Sequence, residues 1–166
     1  MNVNLIANIL FVMSGFVIAY QKSFTTKSGL KIEPITVRNN CTNGANNGSV
    51  LNVHYTGLFT NGTKFDSSHD RNKTLEFILG ECPVTLIKGW VEGLQGMCAG
   101  EEAKWTIPPN LGYGSNGKGD IPGNTTLLFY VTMVAVDKNP NEEKLSGIKT
   151  MFNCTIDRIE LNQTTN

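Results

Sequence analysis

The sequence predicts an α+β domain: an antiparallel β-sheet packed on one short α-helix. Residues 50–59, VLNVHYTGLF, alternate with the period of a strand, and Asn61-Gly62 just beyond them is a hairpin signal. Residues 125–136, TTLLFYVTMVAV, form a long apolar run whose β-branched and aromatic side chains favour a central buried strand. Against these stands one stretch of helical period, IKGWVEGLQGMC at 87–98, where Ile87, Trp90, Val91, Leu94 and Met97 recur at spacings of three and four. Many strands with a single helix and no visible repeat point to a sheet with a helix on one face.

A chain of 166 residues suits one domain with a single core and short tails. The expected division is a signal peptide at 1–19, the folded domain at 20–138 and a C-terminal extension at 139–166. Residues 5–19, LIANILFVMSGFVIA, have the length of a signal-peptide core and are too short for a confident membrane span. Val17 and Ala19 suit the small-residue positions before a cleavage point, leaving Tyr20 or Gln21 as the mature start. No basic residue lies near Met1, which departs from the usual pattern, and a buried core helix is the rival reading. No later apolar run is long enough to span a bilayer, so no stable membrane insertion is expected.

Further along, GLKIEPITVRN at 29–39 alternates but carries Pro34, which fits an edge strand or two short ones. NNCTNGANNGSV at 39–50 is a turn-rich loop holding Cys41. In residues 50–55, Val50, Asn52 and His54 fall on one face and Leu51, Val53 and Tyr55 on the other. KFDSS at 64–68 follows the hairpin, and LEFILG at 75–80 is another short strand. After the helix, EEAKWTIPP at 101–109 supplies a strand and NLGYGSNGKGDIPGN at 110–124 a glycine-rich loop. DKNPNEEK at 137–144 is a polar linker. In the tail, Ile148, Phe152, Thr155 or Ile156, and Ile159 lie at helical spacing.

Lysines and arginines, 14, equal aspartates and glutamates, 14, so no global field draws the chain to nucleic acid or anionic lipid. Cys41, Cys82, Cys98 and Cys154 make an even set. Glycosylation triplets begin at Asn40, Asn47, Asn61, Asn72, Asn124, Asn153 and Asn162. With the leader, these features predict an oxidising, glycosylating compartment: the secretory pathway, in the endoplasmic reticulum lumen or outside the cell. The end, NQTTN, carries no retention signal.

Several motifs are decoys. GYGSNG at 112–117 matches G-x-G-x-x-G, but Pro122 and Gly123 follow where a dinucleotide site needs a helix. GKG at 117–119 lacks the hydroxyl residue of a P-loop. The cysteines lie too far apart for a zinc cluster, His54 and His69 have no partner nearby in sequence, and no nucleophile elbow is present. No metal and no cofactor is expected. What remains is a concentration of aromatics beside turns: Tyr55, Phe65, Phe77, Trp90, Tyr113 and Phe129. Each alone fits ordinary core, but Tyr113 lies between glycines in a loop, as in a lined pocket.

VHYTGLFTNGTKFDSSHDRNK, IKGWVEGLQGMCAGEEAKWTIPPNLGYG and IPGNTTLLF closely resemble the FKBP immunophilins, over about residues 28–137. The resemblance implies a twisted half-barrel sheet wrapped around the helix and peptidyl-prolyl cis–trans isomerase (rotamase) activity without a cofactor. It places Trp90 at the pocket floor, with Tyr55, Phe65, Leu86, Ile87, Tyr113, Ile121 and Phe129 as walls. Asp66 resembles the carboxylate nearest the substrate carbonyl and Arg71 its charge partner. The Ile87 N–H and the Tyr113 hydroxyl resemble the groups that hydrogen-bond the peptide. The implied partners are proline-containing polypeptides and macrolides such as rapamycin and tacrolimus, met by a monomer.

The GMC motif with an upstream cysteine resembles the secretory branch of the family, in which Cys98 would pair with Cys41. That leaves Cys82 and Cys154 for each other, a bond no shared motif supports. Three departures bear on function. Leu75 replaces an aromatic wall, ECPVT at 81–85 is about two residues longer than usual, and SNGKGDI at 115–121 is slightly shorter, with Lys118 and Asp120 where apolar or imidazole groups are typical. That loop helps choose the residue before the proline. The tail from about Lys144 lies outside the resemblance. The competing class is a binding or chaperone module with the same pocket and little turnover.

Overall fold

In the computed structural model, residues 22–81 and 86–138 are described, together with the backbone of Val12–Met13 and Phe16–Val17. Those two dipeptides pair antiparallel as β1 and β2. The domain proper contains β3 (Phe24–Thr25), β4 (Lys31–Thr36), β5 (Val50–Phe59), β6 (Lys64–Ser67), β7 (Leu75–Ile78), α1 (Lys88–Leu94), β8 (Glu102–Ile107) and β9 (Leu127–Asp137). Two 3-10 turns, His69–Arg71 and Pro109–Leu111, sit between strands.

The seven strands form one antiparallel sheet in the order β3-β4-β8-β9-β5-β6, with β7 also paired to β5. Its spine is the pairing of β5 with β9, running from Val50 opposite Asp137 to Phe59 opposite Leu127. Period-two alternation drives this arrangement: Leu51, Val53 and Tyr55 point inward from β5, Ala103, Trp105 and Ile107 from β8, and Leu127, Phe129, Val131 and Met133 from β9. All of these side chains are buried, and Trp90 and Leu94 of α1 close over them. Pro34 does not split β4. The strand continues from Lys31 to Thr36 with a register shift against β8 between Pro34 and Thr36, which absorbs the missing N–H donor. Nor is β4 an outer edge along its whole length, because Phe24–Thr25 pairs with Lys31–Ile32.

The helix is shorter than its apolar period. Ile87 is extended, α1 covers Lys88–Leu94, and Gly96 at φ 78° stops it. Met97 and Cys98 remain buried but belong to a connection held to the preceding loop. Gly96 N–H donates to Ala45 O and Ala45 N–H to Met97 O, both at 2.8 Å, and a disulfide joins Cys41 to Cys98 with Cα atoms 5.8 Å apart. Two helical glycines admit β8. A Cβ on Gly89 would lie 2.7 Å from Ile107 Cγ2, and one on Gly93 would lie 2.8 Å from Trp105 Cε2. The gaps in the helix surface therefore receive Ile107 and Trp105, with Trp90 packed edge-on to Trp105 at 5.9 Å.

Cys82, Cys154, Asn153, Asn162 and the residues from 139 onward lie outside the described residues, as do the expected leader cleavage point and the tail periodicity. No helix among the described residues is long and apolar enough to cross a membrane.

Candidate functional site

Inward parity on β5 delivers Tyr55 to the concave face of the sheet, and inward parity on β9 delivers Phe129. The hairpin at Asn61-Gly62, with Gly62 at φ 87°, folds β6 back along β5 and brings Phe65 and Asp66 beside Tyr55. The end of β6 is fastened there: the buried Ser68 hydroxyl accepts the Tyr55 backbone N–H at 2.9 Å, and Ser68 N–H donates to Tyr55 O at 3.1 Å. The 3-10 turn His69–Arg71 then reverses the chain, with Asn72 at φ 47°, so that Arg71 returns over the same residues. Trp90 enters from the first turn of α1, and Tyr113 from the loop after Pro109–Leu111.

These side chains enclose a cavity of about 160 Å³. Trp90 forms its floor, meeting Tyr55 edge-on at 5.1 Å and Phe129 at 5.3 Å. Phe65 packs perpendicular to Phe129 at 5.6 Å, and Tyr113, Leu75, Leu86 and Ile87 complete the walls. Such edge-to-face contacts fix ring positions without filling the space between them. Arg71 and Ile121 do not line the cavity. Arg71 lies above the Tyr55 ring at 5.8 Å, and Ile121 packs against the core beside it.

One polar triangle borders the cup. Tyr55 Oη donates to Asp66 Oδ2 at 2.5 Å, Arg71 Nη1 donates to Asp66 Oδ1 at 2.5 Å, and Arg71 Nη2 donates to Tyr55 Oη at 2.7 Å. Burial pushes the Asp66 carboxyl up, but the hydrogen bonds from Tyr55 and Arg71 and the guanidinium charge outweigh it and hold it below the usual carboxylate range. Burial raises the Tyr55 phenol, as does its bond to Asp66, against the opposing pull of Arg71. Burial also raises Tyr113, helped by the Asp66 charge. At neutral pH Asp66 is a fully engaged carboxylate, and both phenols keep their protons. Among the described residues, the Ile87 N–H and the Tyr113 hydroxyl have no hydrogen-bond partner, and both residues line the cavity.

Phe77, one of the aromatics singled out in the sequence, packs on Trp90 at 6.4 Å behind the lining. Trp105, which braces Trp90 from the other side, was not among them. The inward parity of Trp105, two residues from both Ala103 and Ile107, was the available signal. His54 and His69, distant in sequence, stack at 4.4 Å on the outer face of the sheet. Among the described residues no group of three or more His, Cys, Asp or Glu could hold a metal ion. A second cavity of about 260 Å³ lies on the other side of α1, between Gly93–Met97 and the Ile32–Pro34 and Trp105 region of the sheet.

The sequence model of the family "FKBP-type peptidyl-prolyl cis-trans isomerase" matches residues 41–134, which contain every lining residue of the cup. FK506-binding protein 2 of Dictyostelium discoideum is 47% identical over 110 residues, covering 66% of this chain and 78% of that protein. Peptidyl-prolyl cis-trans isomerase FKBP15-1 of Arabidopsis thaliana is 41% identical over 138 residues, covering 82% of this chain and 89% of its own length. Among solved structures, FkpA of Escherichia coli superposes with a TM-score of 0.64 at 32% identity, over 71% of this chain and 53% of FkpA. The half-barrel sheet, the short helix under the aromatic cup and these relatives agree, and the chain belongs to the FKBP-type peptidyl-prolyl cis-trans isomerase family.

Proposed function

We propose that this isomerase domain turns X–Pro bonds of polypeptides in the secretory pathway, using Tyr55, Phe65, Asp66, Trp90, Tyr113 and Phe129 as its working surface. The observation that carries the reading is the pairing of an aromatic cup with a carboxylate already committed to Tyr55 and Arg71. Such a site has nothing poised to take a proton at neutral pH, and amide rotation needs no proton transfer. The bond must lose its resonance against a barrier of ~18–20 kcal/mol. Twisting leaves the carbonyl less polar and the nitrogen closer to pyramidal, so a cup of aromatic rings on Trp90 suits the twisted amide better than the planar one. Only that difference accelerates the step. A million-fold effect asks for about 8 kcal/mol. Desolvation, prolyl geometry enforced by the rings, and oriented donors at Ile87 and Tyr113 share it, while the Asp66–Arg71 pair sets the local field.

The compartment rests on other observations. The leader has signal-peptide character, Cys41 and Cys98 are bonded, and the triplet asparagines Asn40, Asn47, Asn61, Asn72 and Asn124 are all exposed. In this reading the mature protein is a monomer that also accepts tacrolimus and rapamycin in the cup, and Cys82 and Cys154 form a second bond. Leu75 as a wall in place of an aromatic ring favours the rival reading, a pocket that binds proline segments with little turnover. Refolding of a protein whose slow phase is proline-limited separates the two. The oxidised chain should accelerate that phase catalytically, and equimolar tacrolimus should abolish the effect. Acceleration that saturates at one client per chain would leave only the binding module.

A further inference from the structure

Lys118 stands at the rim of the cup with its Nζ 5.5 Å from the centroid of the Tyr113 ring. We propose that Lys118 gives this domain a preference for an acidic side chain immediately before the proline. The inference rests on the isomerase reading of the cup and adds a substrate class to it.

The loop fixes the backbone from which Lys118 projects. Lys118 N–H donates to Ile121 O at 2.9 Å, Ile121 N–H returns to Lys118 O at 3.0 Å, and Asn124 N–H donates to Gly114 O at 2.8 Å. The turn is closed so tightly that a Cβ on Gly117 would lie 2.2 Å from Ile121 O and one on Gly123 would lie 1.9 Å from Ser115 O. Gly117 also has φ 70°, so the backbone beneath Lys118 requires glycine twice over. The ring face of Tyr113 attracts the ammonium and keeps it at the wall of the cup.

Lys118 has no ion-pair partner among the described residues: Asp66 is bonded to Arg71, and Asp120, exposed on the same turn, makes no ion pair with it. The bond that rotates joins the preceding residue to the proline nitrogen. Tyr113 Oη is the side-chain donor available to follow the carbonyl of that residue as it turns. The preceding residue is therefore carried along the Tyr113 wall, where a Glu or Asp side chain meets the Lys118 ammonium across its rim. Selectivity from one exposed ion pair is modest, about two- to five-fold in kcat/KM at low ionic strength.

The test is kcat/KM on peptides that differ only at Xaa in Xaa–Pro, with Glu, Gln and Lys compared. The full chain should favour Glu over Gln by about that factor and disfavour Lys, with the ratio shrinking in 0.5 M salt, roughly the concentration at which exposed charges are screened. K118Q should bring the Glu/Gln ratio to about one, and K118R should retain it. A wild-type ratio near one, or a ratio that survives K118Q, overturns the proposal. Failure to turn over any peptide in the series overturns the isomerase reading as well, so the two failures are told apart by the Gln peptide.

Discussion

The Asp66 carboxylate accepts hydrogen bonds from the Tyr55 hydroxyl and the Arg71 guanidinium, and these hold its pKa down despite burial. A carboxyl depressed in the folded state stabilises fully above its unfolded value and loses that contribution as pH falls through the folded one. The stability difference between wild type and D66N should therefore be constant from about pH 5 to 8 and shrink below about pH 4. Denaturation at a series of pH values reads this directly, and a difference that grows on acidification would contradict it. On the alkaline side both cup phenols are raised, so Tyr55 and Tyr113 stay protonated through pH 9. Gly93 makes a separate case, because its missing side chain is the space that the Trp105 indole occupies. G93A should cost about 1–3 kcal/mol in urea unfolding, the usual range for overpacking. A neutral G93A would mean that β8 can retreat from the helix without loss.

The strands were legible because parity alone sorts β5, β8 and β9 into buried and exposed sets, and Asn61-Gly62 marks the hairpin. The helix was legible in kind but not in length. Met97 keeps the apolar period, yet Gly96 adopts φ 78° and the chain turns to meet Ala45, a tertiary hydrogen bond that no local pattern encodes. The partners of Gly89 and Gly93 were hidden for a similar reason, since only the packing of α1 across β8 shows that Ile107 and Trp105 fill those gaps. The Cys41–Cys98 bond fixes this same helix exit to the loop before β5. It spans 57 residues, and breaking it with C41S/C98S should lower stability by about 2–4 kcal/mol. Unfolding curves with and without reductant measure it, and superimposable curves would show that the hydrogen bonds at Ala45 suffice.

Across the whole molecule, the sheet supplies walls, the helix supplies the floor, and the loops supply the rim. Eight residues expected from the family resemblance line the cup with Asp66: Tyr55, Phe65, Leu75, Leu86, Ile87, Trp90, Tyr113 and Phe129. They come from β5, β6, β7, α1, β9 and two loops, so composition and periodicity could mark them as apolar but could not assemble them. The motif order did, because it carries the topology along with the residues. Arg71 bonds to Asp66 and Tyr55 from the exposed side, and Ile121 packs against the core. In the function proposed above the amide twists against Trp90, and Trp105 packs edge-on behind it. The most direct test is the rate of cis–trans exchange in a Leu–Pro peptide, measured at equilibrium by NMR on oxidised wild type and on W90L. Wild type should show rapid exchange, quenched by one equivalent of tacrolimus, and a folded W90L a rate at least ten-fold lower, about 1.4 kcal/mol of lost transition-state stabilisation. Exchange in folded W90L as fast as in wild type would contradict it.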